Sequence, residues 1–149
     1  MAAAHPPHPP RRTALRACLW TAQALVATFL LYGAYMKLGL PDDERVAMIP
    51  WTAQYPILTV FTGLVDLLGG LGLVLPALTR ILPHWTVRAA WGVVVLQVLA
   101  FGFHGWRGEW AVTPFNLVLL ALAVFIAWGR DRAAPVAPRE PELPPLVLK

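Results

Sequence analysis

Cysteine is nearly missing from this chain: Cys18 stands alone in 149 residues. A lone thiol closes no intramolecular disulfide. It also excludes a CxxC relay and the cysteine sets of iron–sulfur and c-type haem sites. With four histidines besides, Cys/His zinc chemistry lacks its ligands, and no metal site is expected. Charge is scarce as well. Charged residues make up 13% and hydrophobic ones 58%, against roughly 25% and 45–50% in soluble domains. That leaves too few charges for a disordered chain. The net charge of +4 sits in particular loops, so no nucleic-acid partner is expected. No glycine-rich nucleotide loop is present. A soluble protein of this length could not hide so much apolar surface, and the lipid bilayer is the expected solvent.

What the chain does have is four long, nearly uncharged stretches: 17–36, 56–75 (with one charge, Asp66), 89–106 and 110–129. About 20 residues at 1.5 Å each cross roughly 30 Å of hydrocarbon. The expected fold is therefore all-α, an integral membrane four-helix transmembrane bundle, multi-pass, with spans at about 17–37, 56–76, 86–106 and 113–129. These form one domain, 14–130, between proline-rich tails at 1–13 and 131–149 that are expected to be disordered. Pro41, Pro50, Pro56, Pro76, Pro83 and Pro114 are expected at or outside span ends, because proline breaks a helix interior. Six of the seven tryptophans lie near span boundaries, the level an amphipathic ring prefers. The first apolar run is longer than a signal-peptide core and is followed by no small-x-small site, so it is expected to stay as an anchor. With the N-terminus inside, the cytoplasmic segments hold Arg11, Arg12, Arg16, Arg80, Arg88, Arg130, Arg132, Arg139 and Lys149, against Lys37, Arg45 and Arg107 outside. The positive-inside rule then places both termini in the cytoplasm.

In hydrocarbon the informative side chains are polar, because a charge at mid-bilayer costs at least about 2.5–3.5 kcal/mol and turns inward to a partner. Asp66 lies ten residues after Pro56, near the midplane. Thr59, Thr62, Gly63, Asp66, Gly69 and Gly70 share its helix face, small enough for close helix approach. Gln97 and His104, seven apart, share a face of the third span. Asn116 opens the fourth span and Lys37 closes the first. Asp66, His104 and Lys37 are candidate catalytic residues. Asn116, Gln97, Tyr32 and Tyr35 are candidate ligand contacts, although Tyr32, Tyr35 and Tyr55 also read as interfacial anchors. Gln23 and Gln97 read as hydrogen-bonding glue between helices, Gly69, Gly70 and Gly72 as packing, and Cys18 as inert packing. Whether Lys37 reaches Asp66 stays open, with His104 or Gln97 as the alternative partner. In the loop 38–55, Pro41-Asp42-Asp43-Glu44 reads as a helix start. Val46, Met48, Ile49 and Trp51 would then lie on the bilayer surface as a lid.

Four segments carry a resemblance: GAYMKL at 33–38, GLVDLLGGLGLVLPALTR at 63–80, FHGWRGE at 103–109 and NLVLLALAVFIAWGR at 116–130. Over residues 32–130 the chain resembles the DoxX and DoxX-like family of small four-helix bacterial membrane proteins. In that family the acid corresponding to Asp66 is often glutamate. The resemblance implies a bacterial plasma membrane location and association with membrane redox subunits, since the family takes its name from a subunit associated with a thiosulfate:quinone oxidoreductase. No cofactor is evident from the residues themselves, and a bound quinone is the candidate. The first functional reading is an accessory subunit binding a quinone-like or other lipophilic small molecule in a polar pocket inside the bundle. The alternative is a cofactor-independent intramembrane acid–base enzyme (an isomerase, cyclase or hydrolase) acting on a lipophilic substrate, with the buried carboxyl trading a proton. Transport has little support, since no internal repeat or interrupted span is visible.

Overall fold

Each apolar run becomes a long helix, and prolines and short turns set the limits. The structure is a computed structural model in which residues 10–139 are described. The expected disorder of residues 1–9 and 140–149 lies outside the described residues. Helix α1 spans Pro10–Leu38, α2 Asp42–Met48, α3 Pro56–Thr79, α4 His84–Trp106 and α5 Thr113–Trp128. A single 3-10 turn, Pro50–Ala53, follows α2, and a π-helical turn, Gly129–Ala133, follows α5. Among the described residues there is no strand. Arg12–Leu38, Pro56–Thr79, His84–Trp106 and Thr113–Ala133 are each long and apolar enough to cross a membrane. The expected all-α four-helix membrane bundle is the observed architecture.

The long helices pack in a ring, α1 on α3, α3 on α4, α4 on α5 and α5 on α1. Around them large apolar side chains face outward, Ile57 and Leu68 among the most open, which suits a lipid surround and not water. On α3 the buried residues are Thr59, Gly63, Asp66, Gly70, Leu73 and Ala77, alternating three and four apart as one helix face requires. Glycine on this stripe lets α1 come close. A Cβ on Gly70 would stand 2.8 Å from Leu31 Cγ and 3.2 Å from the backbone oxygen of Ala27. Between these faces lies a continuous apolar core that includes Val26, Leu30, Leu73, Val93, Leu119 and Ala123.

Four details differ from the sequence reading. Residues 10–13, expected in the N-terminal tail, form the first turn of α1. Pro76 lies inside α3, not at its end. It falls in the last turn, where one lost backbone bond does not stop the helix. Cys18 is exposed on α1 and packs no core. Residues 134–139, placed by sequence in the C-terminal tail, return to the end of α3. There Arg80 adopts φ 61°, and its Nε donates to Ala137 O at 3.0 Å while its own carbonyl accepts from Arg139 N at 3.0 Å. The returning segment thus satisfies groups that the end of α3 leaves open.

Pro10, Arg80, His84 and Arg130 mark one end of the bundle, called proximal below. Lys37, Tyr55, Trp106 and Thr113 mark the other, distal end.

Candidate functional site

Helices α1 and α3 do not end at the same level. Gly63 faces Leu38 and Lys37, so the first two turns of α3 rise beyond the end of α1. The terminal position of Lys37 in its helix therefore brings it just above Asp66. Gly33, one turn back on α1, leaves the room: a Cβ there would stand 3.0 Å from Asp66 Oδ2. Lys37 Nζ donates to Asp66 Oδ2 at 2.7 Å, and the side chains are only 16% and 7% exposed. Each ion gives the other the partner that a low-dielectric site demands.

This ion pair borders a cavity of about 450 Å³ in the distal half of the bundle. All four long helices contribute to its wall. Gln97, Ala100 and His104 come from α4, Asn116 and Leu119 from α5, Thr62 and Asp66 from α3, and Leu30 and Lys37 from α1. The polar members are few and the rest of the lining is apolar, the usual make-up of a small-molecule site. Two polar atoms in the wall are unpartnered among the described residues: Gln97 Oε1 and Asn116 Nδ2 are buried without a hydrogen bond. Buried polar atoms are normally paired, so an acceptor and a donor are both left for something inside the cavity. Phe61 of α3 and Leu99 of α4 line the cavity and are also largely exposed on the outer face. The cavity therefore opens sideways, toward where acyl chains would lie.

The distal roof comes from the loop. Helix α2 has acids in its first turn and no buried residue, as a surface-lying segment should. The 3-10 turn then drives Trp51 inward. Trp51 is 8% exposed, lines the cavity and meets Phe103 edge-on at 5.4 Å between ring centroids. The expected surface lid thus carries an indole into the bundle and not along the bilayer.

His104 is held away from the ion pair by a separate clasp. Its Nδ1 lies 2.6 Å from Glu109 Oε2. Glu109 Oε1 accepts from Arg107 Nε at 2.8 Å, and Arg107 Nη1 donates to Gln54 Oε1 at 2.8 Å. Burial pushes the Glu109 carboxyl up, but the bonds from His104 and Arg107 outweigh it and hold the carboxyl below the ordinary glutamate range. The same contact with Glu109 raises the already high basicity of Arg107. An ionised carboxylate only accepts, so the Nδ1 of His104 carries the proton toward it.

Of the seven candidate residues, the structure gathers Lys37, Asp66, Gln97, His104 and Asn116 on one cavity. The structure does not bring Tyr32 and Tyr35 to this cavity. Both are more than half exposed on the outer face of α1 and do not line the cavity, which leaves them as surface anchors. Gln23 does join helices, donating to Leu73 O and accepting from Arg130 Nε at 2.6 Å. Gln97 Oε1 makes no such bond among the described residues, and its side chain lies buried in the cavity wall. Sequence reasoning missed Trp51 as a wall residue and Glu109 as the partner of His104. The second carried a signal, since an acid five residues after a histidine can fold back across a tight loop.

The family model described as the DoxX-like family matches residues 21–126. The chain belongs to the DoxX-like family. No curated protein and no solved structure matches it. The matched span of this DoxX-like protein contains every wall residue of the distal cavity and stops short of Arg130.

Proposed function

We propose that this chain is an accessory subunit of a membrane redox system in a bacterial plasma membrane, holding a quinone-like lipophilic molecule in the distal cavity. The observation that carries this reading is the pairing of an apolar, sideways-open cavity with unpartnered amide atoms and a buried ammonium in its wall. A quinone ring is flat and apolar and presents carbonyl oxygens. Asn116 Nδ2 is a free donor, and Lys37 uses one of three N–H donors on Asp66. The residues therefore fit such a group. When bound, a quinone would supply the electron-carrying chemistry that the side chains lack. The chain's own part is to bind and orient. Asn116 and Lys37 would donate to carbonyl oxygens, Asp66 would hold Lys37 in place, and Trp51 and Phe103 would exclude water from above. The partners of such a subunit are other membrane redox proteins.

The test is titration of the full-length protein in detergent with a short-chain benzoquinone, read by calorimetry. Stoichiometric binding is expected, weakened tenfold or more, about 1.4 kcal/mol, by Asn116→Leu and by Lys37→Met. Wild-type affinity in both variants would sink the assignment.

One observation favours the acid–base reading instead. Glu109 orients His104 in the way a carboxylate orients a catalytic base, and His104 lines the same cavity. Under that reading the purified protein turns over a lipophilic carbonyl compound, and His104→Gln abolishes turnover while leaving binding intact. Binding without turnover favours the first reading.

A further inference from the structure

We infer that the proximal end of the bundle holds a second site, for a phosphate-type oxyanion, built on Arg130. This side chain is 5% exposed. Its Nε donates to Gln23 Oε1 at 2.6 Å, its Nη1 reaches Ala134 O at 3.5 Å, and the guanidinium lies 4.8 Å from the centre of the Trp20 ring. None of these partners is an anion. Among the described residues no carboxylate pairs with it, and Nη2 is buried with no partner. Its neighbour Asp131 turns outward to Arg132 instead, 3.5 Å away, with both side chains mostly exposed. A guanidinium does not shed its charge by deprotonation, so a buried one calls for a counter-charge.

A second, independent observation lies across from it. Thr86 is 1% exposed and its hydroxyl is also unpartnered. It stands in the first turn of α4, a 23-residue helix with no acid in that turn and no side-chain cap from Pro83. The N–H groups of Trp85 and Thr86 are taken by Leu82 O and Pro83 O at 3.0 and 3.1 Å, so this helix end offers the positive end of its dipole and the Thr86 hydroxyl. Thr86, His84, Arg130 and Asp131 line one cavity of about 300 Å³. An unpartnered guanidinium N–H and an unpartnered hydroxyl at the positive end of a helix dipole suit a tetrahedral oxyanion. Arg16 adds positive charge near Arg130. The proximal end also carries Arg12, Arg80, Arg88, Arg132 and Arg139, against Asp131 alone among the described acids. Trp20, Trp85 and Trp128 mark this level as that of lipid headgroups. The shared chemistry is a phosphate group, from an anionic lipid or free in solution. The proximal cavity shares no wall residue with the distal one, so the site is independent of the distal cavity.

The experiment uses delipidated full-length protein in a maltoside detergent, which carries no phosphate. Phosphatidylglycerol or inorganic phosphate is added, with melting temperature and native mass spectrometry as readouts. A saturable rise of several degrees and one retained equivalent are expected. A response to phosphatidylglycerol alone identifies a lipid headgroup, and a response to inorganic phosphate identifies a free anion. Thr86→Val, which keeps the shape and leaves Arg130 bonded to Gln23, is expected to weaken the effect tenfold or more, as is Arg130→Gln. Arg132→Gln on the exposed surface is expected to retain it. Four results would overturn the inference: no response to either additive; wild-type affinity in Thr86→Val and Arg130→Gln; an equal loss in Arg132→Gln; or a ligand-free E140Q/E142Q protein as destabilised as Arg130→Gln, which would make the chain's own tail the counter-charge.

Discussion

Lys37 and Asp66 meet at 2.7 Å in a place where neither ion would be tolerated alone. Removing one partner of such a pair strands the other, at a cost of about 3–5 kcal/mol, whereas replacing both by apolar groups is often neutral. Lys37→Met and Asp66→Leu should therefore each lower the melting temperature sharply, while the double variant recovers most of the loss. Thermal unfolding in detergent measures this, and additive losses would refute the pairing. Glu109 makes a pH prediction of definite sign. Its folded carboxyl titrates below the ordinary range, so its stabilisation is present above the unfolded value of about 4.3 and is lost as pH falls through the lower folded value. The distal clasp should hold at neutral and mildly acidic pH and loosen only in stronger acid. Fluorescence of the neighbouring Trp106 and Trp110 should report that step, and Glu109→Gln should remove it.

Helices α1 and α3 carry the site because they approach closely, and that approach depends on particular small residues. Gly70→Ala would press a methyl group onto Leu31 and the Ala27 carbonyl. Overpacking of this kind typically costs about 1–3 kcal/mol. The same shift would part Lys37 from Asp66, so weaker ligand binding should accompany the lower melting temperature. Unchanged values of both would show that the helices slide apart freely. Much of this element-level picture was legible in the chain. Apolar run length marked the spans, and three-and-four spacing turned Asp66 inward. The short loop before Thr113 put His104 and Asn116 at the same end. What was not legible depends on relative heights and loop paths. The stagger that lets Lys37 reach Asp66 shows only when Gly63 is seen against Leu38. The inward turn of Trp51 depends on a 3-10 turn at Pro50, where hydropathy alone suggested a surface position. The return of residues 134–139 to Arg80 is a long-range contact that composition reads as tail.

As a whole, the molecule is polar inside at both ends and apolar between them. At the distal end stand Lys37, Asp66, Gln97 and Asn116, and at the proximal end Gln23, Thr86 and Arg130. Val26, Leu30, Leu73, Val93, Leu119 and Ala123 fill the space between. That middle layer works as an insulator. Protons exchanged at the distal carboxylate should then come from and return to one face only, and no current is expected down the axis of the bundle. Sealed vesicles containing it should hold an imposed pH gradient as long as protein-free ones. Polar replacements at Leu73 and Val93 together should short-circuit the layer and discharge that gradient.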